Sequence, residues 1–232
     1  MKLHLFGDSI LKGVTFSSEY NKYRLCKFNY DALSEYDIEY DNHSRMGYTI
    51  DKGLELITES RDELNDDSIV IIEFGGNDCN FNWAEISANP EGIFEPFTLE
   101  EAFLEKYRLA VTTARKTGAS VAIATLVPLD PVKYMRWISR GLDSEKILNW
   151  LGDENMLARW QEHYNSLALR VARETGTPVI DIRSEFLKNR SYGKLLCEDG
   201  IHPTQHGYDI VGCQIINYVV QNYMMSSKRR TG

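Results

Sequence analysis

The sequence has few cysteines, no long hydrophobic run and no excess of positive charge. Its four cysteines are widely spaced and form no C-x-x-C pair, a pattern typical of free thiols in a reducing compartment. No stretch approaches the roughly 18 apolar residues that a membrane-spanning helix needs. The formal net charge of −8 disfavours binding to a nucleic-acid backbone, which requires a basic surface. We therefore expect a cytoplasmic protein without a membrane or nucleic-acid partner.

Several signature motifs are also missing. No serine lies in a G-x-S-x-G elbow, the mark of the α/β-hydrolase fold. The G-x-G-x-x-G and P-loop sequences of nucleotide sites and the H-E-x-x-H motif of metal sites are absent. The first predicted strand begins at Lys2, so we expect no cleavable leader ahead of it.

The arrangement of apolar residues predicts an α/β fold. Short apolar segments alternate with longer stretches at helical spacing, as in a parallel sheet covered by helices. The predicted strands cover residues 2–6, 38–41, 68–74, 120–127 and 178–182. A capping box of Thr98 and Glu101 predicts the start of one helix, with an inward stripe that includes Leu99. Two further helices are predicted over residues 153–174 and after Thr204.

Two connections are too long for simple turns, at about residues 79–97 and 129–152. Both contain several aromatic residues, which predicts ordered structure in each. Because no repeat or linker interrupts the chain, we expect a single domain over residues 1–232 with these two segments as insertions.

Polar residues and glycines follow the predicted strands, where ligands bind in an open parallel sheet. Ser9 follows the first strand, Gly47 the second and Asn77 the third. Asp199 and His202 follow the last strand and a short helix. Together they offer the groups that ester hydrolysis requires, namely a nucleophile, a base and hydrogen-bond donors for the oxyanion.

Each of these residues has a predicted role. Ser9 is the nucleophile, and His202 accepts its proton and later returns it. Asp199 lies three residues before His202, with a glycine between them that permits a tight turn, so its carboxylate can hold the imidazole in one tautomer. The oxyanion donors are the backbone N–H groups of Ser9 and Gly47 and the side-chain amide of Asn77.

The order of these motifs resembles that of the SGNH hydrolases, also called GDSL esterases and lipases. The blocks are Gly-Asp-Ser at Ser9, a glycine at Gly47, Gly-x-Asn-Asp at Asn77 and Asp-x-x-His at His202. The resemblance implies a flavodoxin-like three-layer α/β/α sandwich with a central parallel five-stranded sheet. It also implies a serine esterase that forms an acyl-enzyme from a small-molecule ester, with no required metal and no other cofactor.

Aromatic residues in the two insertions are candidates for substrate binding. Phe81 and Trp83 lie in the first insertion, and Tyr134 and Trp137 lie in the second. Aromatic faces can stack on a sugar ring or wall an acyl chain, and they can equally anchor the insertions to the domain. Because the insertions are too short to enclose a long fatty acyl chain, we expect a small acyl group, such as acetyl on a carbohydrate. Lysophospholipase and thioesterase activities of the same family stay open as alternatives.

Two other functional classes fit parts of the sequence. Gly-Asp and Gly-Asn-Asp also occur in metallophosphoesterases, but the Gly-His-x-His pair of those enzymes is absent here. The second alternative is a non-catalytic carbohydrate-binding or interaction protein on the same fold. The joint presence of Ser9, Asn77 and His202 argues against it, since a protein without activity does not need all three.

Overall fold

The computed structural model describes residues 1–26, 28 and 30–230, which form a central parallel sheet with helices on both faces. The strands, in chain order, are β1 (Lys2–Gly7), β2 (Val14–Ser17), β3 (Lys22–Leu25), β4 (Glu39–Asn42), β5 (Ser68–Glu73), β6 (Ser120–Ala124) and β7 (Val179–Ile180). The central sheet has the order β4-β1-β5-β6-β7, the arrangement of flavodoxin-like folds, and β2 and β3 pair in a separate antiparallel hairpin. The predicted three-layer fold with a five-stranded parallel sheet is confirmed.

Ten helices are described, and they divide between the two faces of the sheet and the ends of its strands. In chain order they are α1 (Ser9–Lys12), α2 (Asp31–Ser34), α3 (Ile50–Glu59), α4 (Trp83–Ala88), α5 (Glu100–Arg115), α6 (Pro131–Ile138), α7 (Ser144–Leu151), α8 (Asn155–Thr175), α9 (Ile182–Leu187) and α10 (Gln205–Arg230). Helices α3, α5 and α8 pack on one face, and α2, α9 and α10 pack on the other. None of the described helices has both the length and the apolar character needed to cross a bilayer.

Both predicted insertions contain helices. The first contains α4 and the second contains α6 and α7. Together with the start of α8, these helices form a third apolar cluster beyond the carboxyl ends of β5 and β6. This cluster is rich in aromatic residues, and it shapes the region next to Ser9.

The predicted capping box is wrong. Helix α5 begins at Glu100, after Leu99, and no side chain caps it. The Thr98 hydroxyl instead donates to Oδ1 of Asp78 at 2.7 Å, because that buried carboxyl group needs hydrogen-bond donors. Leu99 is 49% exposed and therefore does not belong to the inward stripe.

Two strands are shorter than predicted, for local reasons. Asp181 caps α9 by accepting the N–H of Ser184, so the chain turns into a helix after Ile180. Since β7 pairs with β6 only at Ile123 and Ala124, the residues after Ala124 leave the sheet. They remain buried and form part of a cavity wall described below.

Candidate active site

Ser9, His202 and Asp199 are in contact at the carboxyl edge of the sheet. The Ser9 hydroxyl oxygen lies 2.8 Å from Nε2 of His202, and Nδ1 of His202 lies 2.6 Å from Oδ2 of Asp199. All three residues are buried. When Nδ1 donates to the carboxylate, Nε2 is free to accept the serine proton, which is the arrangement of a nucleophile, a base and an orienting acid.

The segment that carries Asp199 and His202 is a tight turn held by its own backbone. Oδ1 of Asp199 accepts the N–H groups of Ile201 at 3.2 Å and His202 at 3.1 Å. Gly200 has φ +76°, and a Cβ there would lie 2.6 Å from the backbone nitrogen of Tyr134. Only glycine fits this position, so the turn predicted from the spacing depends on Gly200.

Ser9 is positioned by the turn between β1 and α1. Asp8 caps the helix, with Oδ1 accepting the N–H of Ile10 at 2.8 Å, and Ser9 is the first helical residue. A Cβ at Gly7 would lie 2.9 Å from side-chain atoms of Leu11, so glycine permits the close approach of the helix to the strand. The nucleophile therefore lies at a strand-to-helix junction that leaves little freedom to its backbone.

Asn77 connects the turn before Ser9 to the loop that contains Gly47. Its Nδ2 donates to Oδ2 of Asp8 and to the carbonyl oxygen of Tyr48, both at 3.0 Å. Gly47 precedes Tyr48 and has φ +78° at an exposed turn. Both amide hydrogens of Asn77 thus have protein acceptors, and donation to a substrate oxyanion requires one of them to be shared or released. The oxyanion roles of Ser9, Gly47 and Asn77 stay predictions.

Replacement of Asn77 by alanine tests its role. We expect Asn77→Ala to lower kcat by roughly 10²–10³ with a nearly unchanged KM, because an oxyanion donor acts mainly in the transition state. Steady-state kinetics on a p-nitrophenyl ester measures both constants, and Asn82→Ala, on the exposed end of α4, serves as a control. A change confined to KM would instead show that Asn77 binds the ground state.

Three buried carboxyl groups, those of Asp8, Glu73 and Asp78, lie near Ser9. Burial raises the pKa of Asp8 to about 6 and that of Asp78 to about 7. Burial, followed by the negative charge of Asp8, raises the pKa of Glu73 well above its usual range. A hydrogen-bond interaction between the two side chains raises the pKa of Glu73 further and lowers that of Asp8, so protonation is favoured at Glu73. Sequence reasoning treated Glu73 only as part of a strand and missed this pair.

The pair makes a prediction about stability against pH. The pKa of Glu73 is higher in the folded chain than its ordinary value of 4.5, so its contribution to stability is complete below about pH 4.5 and falls as the pH rises towards the folded value. In Glu73→Gln, a neutral amide replaces the carboxyl group, so this position no longer makes the stability depend on pH. Between pH 5 and pH 8, the free energy of unfolding measured in urea should fall less for Glu73→Gln than for the wild type. The difference should be up to ~1.4 kcal/mol per pH unit. Glu101→Gln is the exposed control, and an identical pH dependence of wild type and Glu73→Gln would contradict this assignment.

A cavity of about 290 Å³ opens beside Ser9 and Asn77. Most of its lining is apolar and comes from the loops after β5 and β6 and from α7 and α8. Of the four residues predicted to bind substrate, Phe81, Trp83 and Tyr134 line this cavity. The other apolar lining residues are Ile10, Leu126, Val127, Leu129, Trp150, Leu151, Met156, Leu157, Trp160 and Ile201.

Trp137 is not among the described residues that line this cavity. Its ring is in edge contact with Phe16 at a centroid distance of 4.6 Å and with Tyr23 at 6.2 Å. Tyr23 in turn contacts the His202 ring at 5.2 Å. Both Phe16 and Tyr23 belong to the β2–β3 hairpin, which was not predicted. Trp137 is therefore absent from the cavity lining, although it packs against the same apolar cluster as Phe81, Trp83 and Tyr134.

Comparisons with known proteins identify the family and the fold. The model of the GDSL-like Lipase/Acylhydrolase family matches residues 5–210. Similar solved structures include a lipase/acylhydrolase from Enterococcus faecalis (18% identity, 94% of both chains covered, TM-score 0.62). A GDSL-like lipase from Bacteroides thetaiotaomicron has 16% identity and a TM-score of 0.61, with 95% of this chain and 88% of that chain covered. The acetyl xylan esterase AlAXEase has 18% identity and a TM-score of 0.61, with 94% of this chain and 100% of that chain covered. At these identities the likeness shows the fold, and no curated protein matches the sequence.

Proposed function

The chain belongs to the GDSL-like lipase/acylhydrolase family and is a carboxylic ester hydrolase, and we propose that it acts as a serine esterase through an acyl-enzyme on Ser9. The family match confirms the resemblance that the motifs predict. The observation that carries the proposal is the continuous contact from Ser9 through His202 to Asp199 beside an apolar cavity. The same contact argues against the non-catalytic alternative, since a binding protein has no need of an aligned proton acceptor.

The geometry supports two acyl-transfer steps. Nε2 of His202 accepts the Ser9 proton as Oγ forms a bond to the ester carbonyl carbon, and the carbonyl oxygen becomes an oxyanion. Collapse of this intermediate breaks the bond to the alcohol oxygen, which receives the proton from His202. A water molecule then attacks the acyl-enzyme with His202 again as base, which releases the acid and restores Ser9.

The position of the cavity supports a role in binding the acyl group. The alcohol oxygen leaves beside His202, because that ring supplies its proton. The cavity lining includes Ser9 and Asn77, and among the described lining residues His202 is absent. We therefore propose that the acyl chain enters the cavity between α7 and α8.

The size of the cavity favours an acyl group larger than the one expected from the sequence. A volume of about 290 Å³ equals that of roughly ten water molecules in the liquid. An acetyl group would leave most of the apolar wall in contact with water, at a cost of roughly 25 cal/mol per Å². We propose a medium-length acyl chain. A small acyl group, such as acetyl on a carbohydrate, is the alternative that the fold shared with an acetyl xylan esterase supports, and lysophospholipase or thioesterase activity fits a longer chain.

The contact of Tyr23 with His202 and the absence of Trp137 from the cavity lining support a role for these rings with the alcohol part of the substrate. Tyr23 contacts the His202 ring, and Trp137 contacts Tyr23. The guanidinium group of Arg140 lies over the Trp137 ring at 3.5 Å. We propose that Trp137 acts on the alcohol side, where an aromatic face can stack on a sugar ring.

Acyl-chain selectivity tests the proposal. We expect kcat/KM for p-nitrophenyl esters to rise from acetate through butyrate by about fourfold per methylene, corresponding to ~0.8 kcal/mol for each group buried. The highest value should lie at hexanoate or octanoate and should fall at palmitate, which exceeds the cavity. A maximum at acetate would contradict the medium-chain assignment and support the small acyl group.

A matched pair of variants tests whether the cavity determines the acyl-chain selectivity. Met156 is half-buried and lines the cavity, so Met156→Trp narrows it. This variant should lose activity on octanoate while keeping it on acetate. Trp137→Ala removes a ring outside the cavity and should leave the chain-length profile unchanged.

A further inference from the structure

Four potential metal ligands converge on the face of the sheet that α3 covers, away from the ester site. They are His4, Asp41, His43 and Glu63, and one nitrogen or oxygen atom from each lies within 4.8 Å of the others. His4 and Asp41 are register partners in β1 and β4 and project to the same face of the sheet. His43 lies two residues beyond Asp41, and Glu63 belongs to the 3₁₀ helix after α3.

The two imidazole rings approach each other at a distance that suits two ligands of one metal ion. Nδ1 of His4 lies 3.2 Å from Nε2 of His43, close to the roughly 3.3 Å that separates two nitrogens bound to a tetrahedral zinc ion.

His4 is fully buried, and among the described residues only one of its two ring nitrogens has a partner. Nδ1 lies 3.2 Å from Nε2 of His43, while Nε2 of His4 has no hydrogen-bond partner there. Its neighbour on the same face, Phe6, belongs to the apolar core. A buried imidazole costs free energy unless its interactions compensate for the lost hydration. A metal ion bound at Nδ1 would supply one such interaction in place of the contact with His43.

The surroundings fix two of the ligands in place. Phe6 stacks on the His43 ring with a centroid distance of 4.5 Å and an interplanar angle of 3°. Lys2 pairs with Oδ2 of Asp41 at 2.5 Å and leaves the second carboxylate oxygen available. Asp41 and Glu63 bring negative charge to the cluster, and Lys2 and Arg45 lie close enough to affect its electrostatics.

We propose that His4, Asp41, His43 and Glu63 form a binding site for a divalent transition-metal ion of the zinc type. Two nitrogens and two carboxylate oxygens suit zinc better than calcium or magnesium, which prefer oxygen ligands alone. The ion would link β1, β4 and the 3₁₀ helix. It would also anchor the start of the loop that leads from His43 to Gly47. The proposed role is structural, because the site shares no residue with the Ser9, His202 and Asp199 group.

Metal titration of the full chain tests the proposal. Protein freed of metal by a chelator should bind one equivalent of Zn²⁺ by calorimetry, and Co²⁺ should give the visible absorption of a four-coordinate site. Zinc at a hundredfold its Kd should raise the Tm by roughly 5–10 °C. His43→Ala and Glu63→Gln replace partly exposed ligands, and each should weaken binding at least tenfold. They avoid the unfolding risk of replacing His4.

Three control variants distinguish binding at this site from zinc binding elsewhere on the chain. His163→Ala removes a histidine paired with Glu100 outside the cluster, and Cys213→Ser removes an exposed thiol that can bind zinc nonspecifically. Both should keep full affinity, and so should Ser9→Ala, because zinc binding does not depend on ester hydrolysis. Absence of stoichiometric binding to the wild type, or wild-type affinity in His43→Ala, would overturn the site without affecting the esterase assignment.

Discussion

Ser9→Ala should abolish ester hydrolysis, with a fall in kcat on the order of 10⁶. The variant removes the oxygen that lies 2.8 Å from Nε2 of His202, and the described site offers no second hydroxyl at that position. The fold should persist, because the backbone contacts that place residue 9 do not involve its side chain. The measurement is hydrolysis of p-nitrophenyl butyrate, with circular dichroism to establish the folded fraction.

Ser44→Ala is the matched control for Ser9→Ala. Ser44 is also buried, and its Oγ has no hydrogen-bond partner among the described residues, so its loss should leave activity close to that of the wild type. Near-normal turnover by a folded Ser9→Ala protein would contradict the proposed mechanism.

His202→Ala and Asp199→Ala should both be severe, with the histidine change the more severe of the two. His202 transfers the proton in both steps, so its loss should lower kcat by about 10⁶. Asp199 orients the ring and accepts the N–H groups of Ile201 and His202, so its loss should cost about 10⁴. Both variants should be assayed side by side at equal folded fraction. A larger loss in Asp199→Ala would reverse the assigned roles.

The residues of the ester site could be predicted because they depend on the topology of the sheet. Parallel strands bring their carboxyl ends to one edge, so residues that follow β1, β5 and the β7–α9 unit meet there even though they are far apart in sequence. Ser9, Asn77 and the Asp199–His202 turn follow this rule. The requirement for glycine at position 200 is a local one, because its backbone has φ +76° and a Cβ there would clash with a close neighbour.

The features that were missed depend on side-chain contacts between distant segments. The β2–β3 hairpin has mostly polar and exposed residues in β3, so no alternation of apolar residues marked it. The raised pKa of Glu73 beside Asp8 follows from burial in the folded chain, which the sequence alone does not reveal. Helix α3 was not predicted either, although it has Ile50 and Ile57 at helical spacing on its buried face.

The predicted capping box failed for the same kind of reason. Thr98 and Glu101 have the required spacing, but buried Asp78 competes for the threonine hydroxyl. The hydrogen bond to Asp78 therefore outweighs the preference of Thr98 for capping the helix, which is worth about 1 kcal/mol. Trp137 likewise has an aromatic side chain of the kind that lines pockets. The path of α6 nevertheless places it against the hairpin and not in the cavity.

Identification of the covalently modified residue tests the central claim most directly. A fluorophosphonate reacts with an activated serine and loses fluoride, which leaves a stable ester on the attacking oxygen. Mass spectrometry of the intact chain should show one added group, and the modified peptide should contain Ser9. The Ser9→Ala protein should show no labelling, and His202→Ala should be labelled far more slowly. Labelling of a different residue together with loss of activity, or full activity without any labelling, would contradict the acyl-enzyme at Ser9.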